Sequence, residues 1–339
     1  MSDPHTRSAK THDDAAGTDG PGAKRTDQFT SALKDWRQYV IFAGFIVVFL
    51  VFAVTLQDRG FLGTNNLLNI VRQTATISVM AVGMTYVLAT GQIDLSIGSI
   101  AGLASVTTAM GIAAFGLPAG VLIGLATGLL VGMINGVLTT KVGIPSFLVT
   151  LAMLGIARGA AMWITDTAAQ PIRDSNYVFI FGSGDIGPIP VLLLWVLAMG
   201  LVGHVGLKRT AFGRQVLATG GNETAARFSG ISTRTIQFRV LTISGLAGAL
   251  GGMLYAGRLQ SGRFQLGEGD ELSVIAAVVL GGTSLFGGMG TVIGSIMGAL
   301  MIGLINNGLI LMGLDFSQQL IARGVIIILA VAASRDPNR

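Results

Sequence analysis

The feature that most constrains this chain is a succession of apolar stretches, separated by short polar breaks, that extends from residue 39 to residue 334. Hydrophobic residues make up 51% of the sequence and charged residues only 12%, whereas soluble domains carry about 25% charged residues. Water could not solvate such a surface, so lipid must be the solvent. Apolar runs of this length predict an all-α, polytopic membrane helical bundle.

Ten segments meet the requirement of about 20 mostly apolar residues for a membrane span. They cover residues 39–56, 67–89, 93–114, 117–140, 145–165, 188–206, 236–257, 271–285, 290–312 and 316–333. Only residues 90–92 separate the second span from the third, and the eighth is short. Residues 1–37 are polar and predict a disordered cytoplasmic tail, so the transmembrane domain extends from 38 to 335.

Loop charges support an even number of spans. With the N-terminal tail in the cytoplasm, eleven basic residues fall on the inside and four on the outside, as the positive-inside rule requires. The inside set is Lys34, Arg37, Lys141, Lys208, Arg209, Arg214, Arg227, Arg234, Arg239, Arg335 and Arg339, and the outside set is Arg59, Arg173, Arg258 and Arg263. We therefore expect both termini in the cytoplasm. The net charge of +5 lies in these loops, so it does not indicate nucleic-acid binding.

The chain also contains an internal repeat. Residues 94–96, 132–135 and 156–159 recur in the same order as residues 271–273, 303–306 and 321–324, at offsets of 177, 171 and 165 residues. Five spans separate the members of each pair, and five is odd. The repeat therefore predicts two inverted five-span halves, which is a feature of transporters that place their pathway between the halves.

Catalytic chemistry finds no support in the sequence. No lysine follows a glycine, so the chain lacks the phosphate-binding loop of ATP-hydrolysing enzymes. It has no cysteine, and His5, His12 and His204 form neither a zinc motif nor a triad. We expect no catalytic residue, no metal site and no cofactor.

Several ionisable residues, Arg72, Asp94, Arg158, Glu271 and Arg323, lie within or close to spans, where charge is expensive and must face protein or a cavity. They indicate either an ion relay or polar pathway, or a structural role such as Asp94 capping a helix. The candidate polar set for either role is Asp94, Ser96, Asn135, Arg158, Thr283, Ser284, Asn306 and Arg323. The glycine-rich residues 281–288 are either a tight cytoplasmic turn or part of a broken helix.

The longest polar break, residues 207–239, is basic and contains one short predicted helix. Asn222 is a good N-cap, and Gly230 suits the position after the helix. A two-turn helix is marginal alone in water, so it needs a surface to dock on, either a partner or its own bundle. The residues assigned to contact with a partner are Gly220, Gly221, Asn222, Glu223, Ala225, Ala226, Arg227 and Gly230.

Three blocks of sequence resemble the permease subunits of ribose-type sugar importers of the ATP-binding-cassette (ABC) class. They are residues 220–231, residues 91–99, in which Gln92 replaces a glycine of the family pattern, and residues 281–290. The resemblance extends from about residue 65 to the C-terminus and says little about the substrate.

This resemblance implies a fold like that of type II ABC importers. It further implies a homodimer in the lipid of the bacterial inner membrane, a periplasmic sugar-binding protein, and a cytoplasmic ABC ATPase that grips the helix of residues 220–231. The transported solute would be a monosaccharide of the ribose, pentose or hexose class. An ion-coupled secondary transporter of a small polar solute is the alternative, since inverted repeats and Asp94 would suit it.

Overall fold

The computed structural model describes residues 41–315, 317–322, 324–325 and 328. The predicted N-terminal tail and Arg323 lie outside the described residues. The helices are α1 Ile41–Thr55, α2 Thr64–Ala89, α3 Ile97–Phe115, α4 Leu117–Val137, α5 Ser146–Thr165, α6 Ser175–Val178, α7 Val191–Arg209, α8 Ala211–Gly221, α9 Glu223–Phe228, α10 Thr233–Leu259, α11 Asp270–Leu280 and α12 Val292–Leu311. Seven of them, α2–α5, α7, α10 and α12, are long and apolar enough to cross a membrane.

The short elements lie in the connections. A 3₁₀ helix, Gln57–Arg59, follows α1, and π-helical turns, Leu138–Val142 and Phe179–Ser183, follow α4 and α6. Two antiparallel pairs of two-residue strands complete the described elements. They join β1 Gln170–Pro171 to β4 Ser261–Gly262, and β2 Asp185–Ile186 to β3 Ile189–Pro190.

Close glycine contacts give the direction of each segment. We call the end of the bundle that carries α8 and α9 the α9 end. Gly136, near the end of α4, packs on Phe238, near the start of α10, so these helices are antiparallel and α4 ends at the α9 end. Within residues 41–315 the chain passes between the two ends nine times, in α1–α5, α7 and α10–α12.

The third of these passages is broken. α2 ends at Ala89 at the α9 end, and the non-helical residues 90–96 then return into the bundle before α3 begins at Ile97. This first turn of α3 packs on Gly248, more than half-way along α10. We call residues 90–96 the first break. The expected helix start at residue 93 is therefore wrong, because the chain spends these residues on an unwound re-entry.

The eighth passage is broken in the opposite direction. After α10 reaches the far end, residues 260–269 return along α3, so that Gly262 packs on Ser105 and Gly267 packs on Gly98. α11 then begins inside the bundle and continues to the α9 end. We call residues 260–269 the second break. With 11 residues, α11 is too short to span a membrane on its own, which corrects the predicted span over 271–285.

The two breaks support the inverted arrangement of the halves. The repeat motifs at residues 94–96 and 271–273 both lie where a shortened helix starts inside the bundle, and those helices run in opposite directions. The motifs at 132–135 and 303–306 likewise lie on α4 and α12, which are antiparallel in the bundle. The third pair includes Arg323, which lies outside the described residues.

The same geometry describes the segment 207–239 and the positions of the basic residues. Residues 207–239 are mostly helical, because α7 extends to Arg209 and α10 begins at Thr233, with α8 and α9 between them. Basic residues are sorted between the ends as expected. Of those in described loops and helix ends, seven lie at the α9 end and four towards the far end: Lys141, Lys208, Arg209, Arg214, Arg227, Arg234 and Arg239 against Arg59, Arg173, Arg258 and Arg263.

Candidate functional site

Helix α9 has the two ends that its sequence predicts. The side chain of Asn222 accepts a hydrogen bond from the backbone N–H of Ala225 at 2.9 Å, which makes it the N-cap. At the other end Gly230 has φ +83°, the N–H of Gly230 bonds to Arg227 and the N–H of Ile231 bonds to Ala226. This pair of bonds is a Schellman motif, so the short helix is closed at both ends.

Side chains hold α9 to α10 along one face only. Glu223 accepts hydrogen bonds from Thr233 at 3.1 Å and from Gln237 at 3.4 Å, and it pairs with Arg227 at 2.7 Å. Ala226, on the side of α9 that faces the bundle, is buried. The rest of the helix surface, with Thr224, Ala225, Arg227 and Phe228, is exposed.

Phe228 is the residue that the sequence reading missed. Its side chain is 89% exposed at the end of α9. A large aromatic ring held in water on a capped helix is unusual, because burial of such a ring is favourable by about 1.5–3 kcal/mol. Its signal in the sequence was its position directly after Arg227 in an otherwise polar segment.

Three glycine-rich blocks meet where α8 ends. The backbone N–H of Gly288 donates to the carbonyl of Ala89 at 3.0 Å. A Cβ on Gly220 would lie 1.9 Å from that same oxygen and 2.7 Å from the nitrogen of Gly288. A Cβ on Gly287 would lie 2.9 Å from the nitrogen of Gly91. We call these five residues the glycine junction. It joins the helix that precedes α9 to the first break and to the loop between α11 and α12 by backbone contact.

The loop between α11 and α12 is a turn at the α9 end. Thr283 is buried, and its hydroxyl accepts the N–H of Thr291 at 3.2 Å. The hydroxyl of Ser284 accepts the N–H of Phe286 at 3.2 Å. Both side chains therefore shape the turn, and the broken part of this passage is the second break at the other end of α11.

The first break is held by hydroxyl groups of α5. The N–H of Ile93 donates to Ser146 Oγ at 3.2 Å, and the N–H of Leu95 donates to Thr150 Oγ1 at 3.0 Å. Unwound backbone within a membrane protein must find partners inside the protein, and these two side chains supply them.

Asp94 lies at the centre of a buried polar chain in the same break. Its Oδ1 accepts from the backbone N–H of Ser96 at 2.8 Å and from the Ser96 hydroxyl at 2.6 Å. The side chain of Asn135 on α4 donates to that hydroxyl at 2.9 Å. Ser96, and not Asp94, is the residue that precedes the helix. Asp94 therefore closes a turn before α3 and ties the break to α4.

Arg158 lies on α5 opposite the second break. Its guanidinium pairs with Glu268 at 2.9 Å, and it is close enough to Glu271 to interact with that charge. The Glu271 side chain in turn lies against Gly98, in the first turn of α3. Arg158, Glu268 and Glu271 thus form a charged group at the point where the two shortened helices start.

Comparison with known proteins now decides the family. The protein-family model described as the permease component of branched-chain amino acid transport systems matches residues 66–331 of this sequence. The chain belongs to this permease family. The permease is 42% identical over 290 residues to a probable ABC transporter permease, YphD, of Escherichia coli, covering 85% of this chain and 86% of that protein. It is 40% identical to the ribose import permease RbsC of Bacillus subtilis over 85% of this chain and 90% of the relative. It is 34% identical to the xylose transport system permease XylH of Escherichia coli, with coverage of 86% and 90%. No solved structure matches.

The remaining predicted polar residues of the permease divide by location. Asn306 is half-buried on α12, and its neighbour Asn307 makes the contact instead. The amides of Asn307 and Asn66 donate to each other at 2.8 and 3.0 Å, and so join α12 to the start of α2. Arg72 pairs with Asp185 at 2.7 Å at the far end. These groups are structural ties between helices.

Proposed function

We propose that this permease carries a monosaccharide across the bacterial inner membrane as the transmembrane subunit of an ABC importer. A soluble binding protein delivers the sugar at the far end, and a separate ATPase docks at the α9 end. ATP is hydrolysed in that partner. The names of the relatives support the substrate class, since they include ribose and xylose permeases.

The observation that carries the proposal is the glycine junction beneath α9. A docking helix can move a bundle only if it is rigidly attached to the parts that must move. Here the end of α8 contacts the backbone of Ala89, the last residue of α2 directly before the first break, and the loop after α11. A push on α9 therefore reaches both inverted halves through backbone contacts, without a flexible side chain between.

The surface around α9 indicates what kind of partner fits it. Residues 207–239 expose six basic side chains, and Glu223 is the only acidic residue of that segment. Phe228 stands at the end of the helix. A partner with an apolar pocket rimmed by acidic residues would bury the ring and complement the charge, since aromatic residues and arginine dominate interface energies. The exposed basic residues are Lys208, Arg209, Arg214, Arg227, Arg234 and Arg239.

The basic residues also support an orientation in which the α9 end and both termini are cytoplasmic. A second copy of the permease would complete the importer as a homodimer surrounded by lipid. The residues proposed to contact the ATPase are the exposed ones of α9, with Gly220, Gly221, Asn222 and Gly230 shaping its ends and Ala226 seating it on the bundle.

Reconstitution into liposomes tests the proposal. The permease, its ATPase and its binding protein together should accumulate radiolabelled ribose or xylose when ATP is enclosed with the ATPase. Omission of any one protein or of ATP should abolish uptake. If the purified permease alone accumulates the sugar on an ion gradient, it is the ion-coupled transporter of the alternative reading, and the proposal is wrong.

A further inference from the structure

Arg158 and Glu268 form an exposed ion pair at a depth where lipid cannot accept it. The side chains are 20% and 58% exposed. Arg158 lies 12 residues after Ser146 and seven before Thr165 on α5. At a rise of about 1.5 Å per residue, this is about 10 Å from the nearer end of the helix. The hydrocarbon core is about 30 Å thick, so the pair lies within it.

The position of Glu268 is fixed independently of α5. Gly267, its neighbour, packs on Gly98 in the first turn of α3, which starts more than half-way along α10. The second break therefore holds the backbone of Glu268 at this depth, with its side chain on the outside of the bundle. A charge within hydrocarbon is unfavourable by at least about 2.5–3.5 kcal/mol at mid-bilayer. Water or protein, and not lipid, must therefore adjoin this face of the bundle.

The surface of α5 beside Arg158 is open in the described chain. Gly155 and Gly159 lie beside Arg158 on α5, and a Cβ on either glycine would have no atom within 4 Å. Arg158 Nε and Nη2, and Glu271 Oε2, are shielded and have no hydrogen-bond partner among the described residues. The charged group thus keeps two donors and one acceptor without a partner, just beneath the open surface at Gly155 and Gly159.

We infer that α5 and the second break form one wall of a water-filled sugar pathway, in which Glu268 and Arg158 contact the hydroxyl groups of the passing solute. A neutral sugar hydroxyl both donates and accepts, so a carboxylate beside a guanidinium suits it. Glu268 and Glu271 outnumber Arg158 here, so an anionic solute is repelled. This inference rests on the proposed function, and the second permease copy supplies the facing wall.

Thiol labelling tests whether the wall is wet. The permease has no cysteine, so Glu268→Cys introduces a single reactive site. In the complete importer in liposomes, a charged, water-soluble methanethiosulfonate reagent should modify this cysteine. Ribose with its binding protein and ATP should slow the modification at least threefold. Absence of modification in an importer that still transports sugar would mean that lipid or the second copy covers the face, and the inference would be wrong.

Uptake tests the contact with solute. Arg158→Gln should lower sugar uptake at least tenfold, while ATP hydrolysis stimulated by the binding protein stays within twofold of the parent. Arg72→Gln removes an ion pair of similar exposure at the far end and should leave both activities within twofold. Equal uptake by the two variants would overturn the assignment. Should the parent importer show no ATP-dependent uptake at all, the failure would instead be that of the proposed function.

Discussion

Replacement of Gly220 by alanine should separate ATP hydrolysis from transport. A methyl group at this position would lie 1.9 Å from the carbonyl oxygen of Ala89 and 2.7 Å from the nitrogen of Gly288, whereas ordinary contact begins near 3.4 Å. Both neighbours are backbone atoms joined by their own hydrogen bond. The strain can be relieved only if the end of α8 moves away from the glycine junction.

Gly221→Ala is the matched control. It lies in the same last turn of α8, but the nearest atom to its added methyl group is Gly288 Cα at 3.8 Å. Alanine favours a helix over glycine by about 1 kcal/mol at either position, so that effect cancels between the variants. Steric overlap typically destabilises by about 1–3 kcal/mol, and loss of a hydrogen bond adds about 0.5–1.5 kcal/mol. Gly220→Ala should therefore be roughly 2–4 kcal/mol less stable at the junction than the control.

The assay measures sugar uptake and ATP hydrolysis in the same liposomes. In the Gly220→Ala importer the ATPase still docks on α9, so hydrolysis should remain within about threefold of the parent. Uptake should fall at least tenfold, because the displaced α8 no longer contacts the end of α2 and the loop after α11. In the Gly221→Ala importer both activities should match the parent. If the two variants transport equally well, the glycine junction does not transmit motion.

Three further predictions follow from the site. Asp94→Asn keeps an oxygen acceptor for Ser96 and should retain at least half of the uptake. Asp94→Ala leaves buried donors unpaired, which destabilises the fold by about 1–3 kcal/mol, and this variant should express poorly. Loss of uptake in a well-folded Asp94→Asn importer would instead support a role of Asp94 in an ion relay. In a pull-down titration, Phe228→Ala should weaken ATPase binding by about 2 kcal/mol, which is roughly thirtyfold. The control Thr224→Ala should leave the affinity within threefold of the parent. An unchanged affinity for Phe228→Ala would mean that the ring does not contact the ATPase. Cysteines placed at Thr224 and at Asn176, which lies on α6 at the far end, should react with impermeant reagent from opposite sides of the membrane, because α7 is the one passage between them. Labelling from one side would contradict that passage.

The two caps of α9 could be predicted from the sequence because each depends on contacts within a few residues. An asparagine before a short helix and a glycine after it determine caps through bonds to adjacent backbone, and both are observed. The unwound first and second breaks could not be predicted in this way. Ile93, Leu95 and Ile97 resemble the start of the apolar span that follows. The partners of the N–H groups of Ile93 and Leu95, Ser146 and Thr150, lie more than 50 residues away in the sequence.

The predicted roles of the glycines were incomplete for the same reason. Gly220 and Gly221 look alike in sequence and were both assigned to the partner contact. In the folded chain Gly220 faces the backbone of Ala89, whereas Gly221 is exposed. Only the tertiary approach of the three glycine-rich blocks distinguishes them. Glu268 was missed because a carboxylate between spans is typical of a surface loop, and the sequence does not reveal that this loop re-enters the bundle.

The hydroxyls of Ser146 and Thr150 restrict how this permease can change shape. The peptide groups of the first break take these partners from α5, so a slide of α5 past the break would leave N–H groups bare in an apolar environment, at several kcal/mol each. Any alternation between outward-open and inward-open forms must therefore carry α5 and the break as one rigid body, and the hinge of the cycle has to be sought at the borders of that body.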